Sequence, residues 1–233
     1  MIFLNEHSPS IPAKVLMSMG VLAGTLTATT LTTGYSDWLM SVLSFEKVEG
    51  NIYRQIVMFI CCFVYFLRFS MGLFVFIQRK ISWFEGGLVT VLFFLMFYTF
   101  GISAGSHPEP IKPIDMAGIA MFLIGSYINT LADYQWFSWK RQIENKGRLY
   151  TSGLFKYSMH INYFGDAVAY FGLALITYNI VCLCISIGMF VYFIAFEIPR
   201  LDEHLGKSTR KKSTLFFDNT LPVRIEPFFF KFY

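Results

Sequence analysis

An all-α fold, a polytopic membrane bundle of about six or seven transmembrane helices, is what this sequence predicts, and three observations predict it. Of 233 residues, 55% are hydrophobic and 19% aromatic while only 15% are charged, a balance outside the range of soluble globular domains. Apolar intervals long enough to cross a hydrocarbon layer of ~30 Å recur along the chain. The cations gather in the short polar intervals between these runs, which is how loop charges distribute in a membrane protein and is not the basic stripe of a nucleic-acid-binding module. A single integral membrane domain over residues 1–233 is the expectation, with membrane lipids around it and no nucleic-acid partner.

The spans follow in order. Residues 12–33 are small and apolar, with Gly20 and Gly24 spaced for close helix contact and threonines that can bond back to the helix. The GxxxG spacing reads as packing within the chain. A retained first span is expected, because the first fourteen residues lack a basic leader and a cleavage site. The second span covers 53–77 and carries one interior charge, Arg68. An arginine at that depth costs roughly 2.5 to 3.5 kcal/mol on insertion scales unless it has a partner or faces a cavity. Snorkelling is the competing reading, but apolar residues continue after it and Arg79 and Lys80 already mark the span's end. Arg68 is therefore a functional candidate. The third span is 86–104. It is followed by Gly105–Pro113, whose three prolines bar a helix and whose His107 reads as a solvated loop residue. The fourth is 114–132, ending before Asp133.

From Tyr163 to Phe196 the chain is almost uninterruptedly apolar, too long for one span and short for two. A tight hairpin near Tyr178 and Asn179 divides it into spans 163–178 and 180–196. Residues 197–233 form a charged, then aromatic, surface tail. Cys61 and Cys62 are adjacent and Cys182 and Cys184 lie two apart inside apolar runs, so they read as packing residues, and no metal site is expected. With six spans both termini share one face, and that face collects fifteen Lys and Arg against three on the other, where Lys47, Arg54 and Lys112 lie. The positive-inside bias makes the richer face cytosolic, in a bacterial inner membrane or the endoplasmic reticulum.

The longest polar interval between apolar runs lies on that face, within Asn129–Gly172. Residues 133–162 form a cytosolic loop, with basic Lys140, Arg141, Lys146 and Arg148, a turn led by Gly153, and a polar cluster of His160, Asn162, Tyr163 and Asp166. Cations with a glycine between them, as in Lys146-Gly147-Arg148, are what a phosphate-bearing cofactor requires. A basic loop is equally what topology alone would place there.

The segment from Leu131 to Asp166 resembles the steroid 5-alpha-reductase-like membrane enzymes, in a branch of uncharacterised members related to isoprenylcysteine carboxyl methyltransferases. The residues that carry the resemblance are Ala132, Asp133 and Gln135; Asn145 to Arg148; Gly153, Leu154, Phe155 and Tyr157; and His160 and Asn162 to Asp166. Tyr65 and Arg68 look like the family's Tyr-x-x-Arg, and RKISWFE at 79–85 and the Glu197-Ile-Pro run extend the likeness more loosely. The resemblance implies a cytosolic cofactor-binding loop and C-terminal segment that bind NADPH. It also implies a membrane cavity for a sterol-like lipid with an activated double bond, reduced by hydride transfer while a protein acid polarises the conjugated carbonyl. Carried over by position, Tyr65 is the catalytic donor with Glu46 or Glu49 as its partner. Asn162, Tyr163 and Asp166 serve the nicotinamide and ribose. Asp133, Asn145, Lys146, Arg148 and Tyr157 serve the adenosine and phosphates, and Arg68 and His160 reach a phosphate or ribose. The chain departs from the pattern where Met159, His160 and Ile161 stand for Arg-His-Pro, where Asp166 replaces a glutamate, and where Phe216 and Phe217 stand for a tyrosine. Methyltransferases that use S-adenosylmethionine share the core pattern and are the alternative. A degenerate homologue that binds lipid without catalysis is the second.

Overall fold

A computed structural model describes residues 3–7, 9–33, 50–145 and 148–203. Six helices occupy these segments: α1 (Ile11–Thr32), α2 (Ile52–Met71), α3 (Trp83–Gly105), α4 (Pro113–Lys140), α5 (Ile161–Thr177) and α6 (Ile180–Tyr192). Five are long and apolar enough to cross a membrane once α2 is followed to Phe76 and α6 to Glu203; α5 is a shorter apolar helix. The protein is an all-α bundle and an integral membrane protein. A short antiparallel pairing of Phe3–His7 with Arg79–Lys80 closes one end.

Local chemistry sets the ends. The Asn51 side chain accepts from the backbone N–H groups of Tyr53 and Arg54, Ser82 from Glu85, and Asn179 from Val181, satisfying first-turn donors that would otherwise lie unpaired at the membrane surface. Pro113 begins α4, where its missing N–H is not needed. Tyr178, in the left-handed region at φ 52°, ends α5 and makes the two-residue turn into α6. Helix α4 runs through Lys140, past the Ala132 end that hydropathy suggested, because residues 133–146 contain neither Gly nor Pro to stop it. Helix α6 likewise continues to Glu203. Pro199 cannot donate to the carbonyl of Ala195, and the helix widens into a π-turn over Phe193–Glu197 just before it. A second π-turn, Gly72–Phe76, ends α2.

Two helix pairs form the tightest contacts. In the first, α1 lies on α3: a Cβ at Gly20 would come within 2.6 Å of the Thr90 carbonyl oxygen and one at Gly24 within 2.5 Å of that of Phe94. Thr25, Thr29 and Thr32 bond back to the carbonyls of Val21, Thr25 and Ala28. In the second pair, α4 and α5 run antiparallel with glycines at matching heights. A Cβ at Gly118 would stand 2.7 Å from the Gly172 oxygen, and one at Gly125 2.4 Å from the Gly165 oxygen. Backbone contact of this kind sets the register of everything further along the two helices. Gly165→Ala is accordingly expected to destabilise the protein by about 1–3 kcal/mol, since the obstacles are the Asn129 amide and the Gly125 carbonyl and neither can yield. Gly188→Ala, with no atom within 4 Å of the new Cβ, is the control expected to stay near wild type. Thermal unfolding in detergent measures both.

Helix α2 packs on α1 and α3 but meets α4 and α5 sparsely. The core between them is aromatic, formed by Tyr65, Phe97, Phe100, Phe122, Tyr170 and Phe193 with aliphatic neighbours. Polar ties supplement it. Gln55 donates to the carbonyl oxygens of Thr32 (2.8 Å) and Gly105 (3.0 Å), holding the ends of α1 and α3. Arg54, grouped by sequence with the loop cations, is instead fully buried. Its guanidinium makes a bidentate pair with Asp115 (2.5 and 2.8 Å) and donates to the Ile176 (2.7 Å) and Pro110 (3.1 Å) carbonyls. This corrects its place in the charge count: a fully paired guanidinium inside the bundle is not a loop charge exposed to solvent. The Tyr178 ring covers Arg54 at 5.0 Å and stacks on His107 at 4.9 Å. His107 is therefore packed rather than freely solvated, which corrects the sequence expectation.

Candidate functional site

At the bundle end opposite Arg54, three helices bring polar side chains together. Arg68 on α2 donates one guanidinium nitrogen to the Asn129 side-chain oxygen on α4 and the other to Asp166 on α5 at 2.7 Å. Asn129 in turn donates to the backbone carbonyl of Asn162 at 3.0 Å, and the Asn162 amide reaches Asp133 at 3.4 Å. The chain of contacts thus runs Arg68, Asn129, Asn162, Asp133, with Asp166 closing it on Arg68. One turn deeper, the hydroxyls of Tyr65 and Tyr170 meet at 2.6 Å, each side chain only 1% exposed, and the Arg68 guanidinium lies 4.6 Å from the Tyr65 ring centroid.

Helical spacing explains the convergence. Tyr65 and Arg68 are three apart on α2, Asn129 and Asp133 four apart on α4, and Asn162, Asp166 and Tyr170 follow at intervals of four on α5. Residues so spaced share one face. The glycine register between α4 and α5 then aligns two of these faces, and Arg68 spans from the third helix. Arg68 thus has partners in the membrane, as its depth demanded. Its Nε is buried with no hydrogen-bond partner among the described residues.

His160 begins α5 beside this cluster. Its Nε2 lies 3.0 Å from the Asp202 carboxylate near the end of α6, and Tyr163 packs on Phe193 of the π-turn at 5.0 Å. Burial pulls the His160 imidazole below its ordinary range, and the Asp202 carboxylate pulls the other way without overcoming it. With Nε2 protonated the ring donates to Asp202, leaving Nδ1 a buried acceptor without a partner among the described residues. A folded-state pKa below the unfolded value of about 6.5 gives stability that is complete above that pH and is lost as pH falls through the folded value. Thermal stability is expected to decline as pH is lowered from 8 toward 5, and His160→Gln to flatten part of that decline.

The remaining residues expected from sequence lie along the connector. Asn145 donates to the Trp139 carbonyl (3.0 Å) and to the Gln142 side chain (2.7 Å), so it fastens the turn after α4. Arg148 is exposed, and Tyr157 is exposed with Lys156 4.7 Å from its ring centroid. Gly153, at φ +61°, lets the Leu154 N–H reach Gln135 Oε1 at 2.9 Å, which hangs the connector on α4; a Cβ there would stand 2.3 Å from that oxygen. Glu46, Glu49 and Lys146 lie outside the described residues. The partner found for Tyr65 is Tyr170. Sequence reasoning named neither Tyr170 nor Asn129 as a site residue; the signal that carries both is the four-residue polar stripe on each helix.

A helical membrane bundle with a buried arginine, amide, carboxylate and tyrosine cluster, fronted by a basic connector, is the class of protein that fold and site define. The family described as "Protein of unknown function (DUF1295)" matches residues 77–216, and the chain belongs to that family. A steroid 5-alpha-reductase, DET2 of Gossypium hirsutum, is 32% identical over 85 residues, which are 36% of this chain and 31% of that protein. The chain is thus steroid 5-alpha-reductase-like, and the match covers under a third of that relative's length. No solved structure matches it.

Proposed function

We propose that the protein is a membrane-embedded reductase that uses NADPH to reduce an activated carbon–carbon double bond in a flat, steroid-like lipid. The observation that carries this reading is the convergence of Arg68, Asn129, Asp133, Asn162 and Asp166 beside the dry Tyr65–Tyr170 pair. The local identity to a steroid 5-alpha-reductase supports it. We assign this end of the bundle to the cytosol, where nucleotides are available.

The residues fit such a cofactor. Amide and carboxylate groups suit an uncharged carboxamide and ribose hydroxyls. The unsatisfied Arg68 Nε and His160 Nδ1 offer a buried donor and acceptor. Exposed Arg141 and Arg148 stand on the connector with Lys140 and Lys156 beside them, and together they suit phosphates. When bound, NADPH supplies the hydride. The protein's part is to orient the two reactants through Arg68, Asn162 and Asp166, to exclude water with the aromatic core, and to donate from Tyr65 toward the substrate's carbonyl oxygen. A donor in a dry, preorganised site is worth most where negative charge develops.

Titration of the purified protein in detergent tests this. NADPH is expected to raise its melting temperature at lower concentration than S-adenosylmethionine does, and Arg148→Ala to weaken NADPH more than NADH by removing a 2′-phosphate contact. Stabilisation by S-adenosylmethionine alone would replace the reductase with a methyltransferase; no stabilisation by either would leave a lipid-binding homologue.

A further inference from the structure

We propose that Tyr170 is the second donor of a two-hydroxyl cradle that it forms with Tyr65 around a neutral carbonyl oxygen of the lipid substrate, an inference that rests on the reductase reading for its chemistry. Proton counting leads to it. The two phenols carry two O–H protons and share one hydrogen bond, 2.6 Å long, in which either oxygen can donate. The second proton has no acceptor among the described residues. Besides the Arg68 guanidinium, which can only donate to the Tyr65 oxygen, the ring neighbours are Phe69, Phe93 and Phe97 against Tyr65 and Phe193 against Tyr170. Both tyrosines are 1% exposed, so water does not satisfy the spare donor either. A buried donor without an acceptor is uncommon in a folded protein and calls for a functional or structural reason.

The chemistry of that ligand is constrained. A ketone oxygen has two lone pairs and accepts one bond from each hydroxyl, so replacing the Tyr–Tyr bond with two Tyr–carbonyl bonds uses both protons. A carboxylate or phosphate would need a countercharge, and the adjacent cation, Arg68, keeps an unpaired Nε but already has its charge matched by Asp166. The aromatic lining adds flat apolar surface. Tyr170 is held from behind, since Ser186 on α6 donates to its backbone carbonyl at 3.0 Å.

The test measures binding without NADPH, using the full chain in detergent and two probes, androst-4-en-3-one and its 3-deoxy analogue. Wild type is expected to prefer the ketone about tenfold, and Tyr170→Phe and Tyr65→Phe each to remove most of that preference while leaving affinity for the deoxy analogue unchanged. The carbonyl stretch of the bound ketone should move to higher wavenumber in Tyr170→Phe as one hydrogen bond is lost. Equal loss for both probes would make Tyr170 a packing residue. No ketone preference in wild type, including no binding of either probe, would overturn the cradle. The two readings separate cleanly: a ketone preference abolished by Tyr170→Phe in a protein that NADPH does not stabilise keeps the cradle and removes the reductase. NADPH stabilisation without a ketone preference does the reverse.

Discussion

Asp115→Ala is expected to cost about 3–5 kcal/mol of stability, the largest effect of any single substitution considered, because it leaves the Arg54 guanidinium buried without its countercharge. The pair joins α2 to α4, and through the Ile176 carbonyl also to the end of α5. Asp115 further accepts from the Lys112 N–H at 2.7 Å, so the same carboxylate starts α4. The measurement is thermal or denaturant unfolding in a fixed detergent. The double variant Arg54→Met with Asp115→Leu should recover much of the loss, since two well-packed apolar side chains do not carry the desolvation cost of an ion pair. If the single variant unfolds with wild-type stability, the pair is not the tie between these helices.

Arg68→Met is expected to weaken NADPH binding about a hundredfold, or roughly 2–3 kcal/mol. It also strands Asp166 in the membrane with its remaining neighbours Asn129, Asn162 and Asp133 offering amides and a like charge, so stability falls as well. Asp166→Asn in the Arg68→Met background removes that stranded charge, and should restore stability without restoring binding. Calorimetric titration alongside thermal unfolding separates the two effects. Unchanged NADPH affinity in Arg68→Met would remove the guanidinium from the cofactor site.

Hydropathy made the helices legible because each must present apolar surface to lipid, and Leu88, Val91, Leu92 and Leu95 on α3 do so. Arg68 was legible for the converse reason: a charge in mid-span needs a partner. The identity of that partner was not, since Asn129 and Asp166 lie 61 and 98 positions away and only the fold brings them near. Nothing in the sequence marks Asn129, beside a polar stretch, or Tyr170, inside an apolar run, singly as a site residue. Their places follow once Gly118 and Gly125 are matched with Gly172 and Gly165, which fixes how far α4 slides along α5. Arg54 was misplaced because its position beside an apolar run says nothing about Asp115, 61 residues on.

Helix α5 has 17 residues and α4 has 28, so the first is about 25 Å long and the second about 42 Å. With Gly125 set against Gly165 and Gly118 against Gly172, the excess lies at one end: α4 runs on past the start of α5, and the connector hangs on that projecting length through the Leu154 N–H to Gln135 and the Tyr150 ring against Trp139. Against a hydrocarbon layer of ~30 Å, α5 is short and α4 is long. The amide and carboxylate cluster lies where α5 begins, so bilayer thickness is expected to bear on the site itself, and stability to differ between thin and thick membranes.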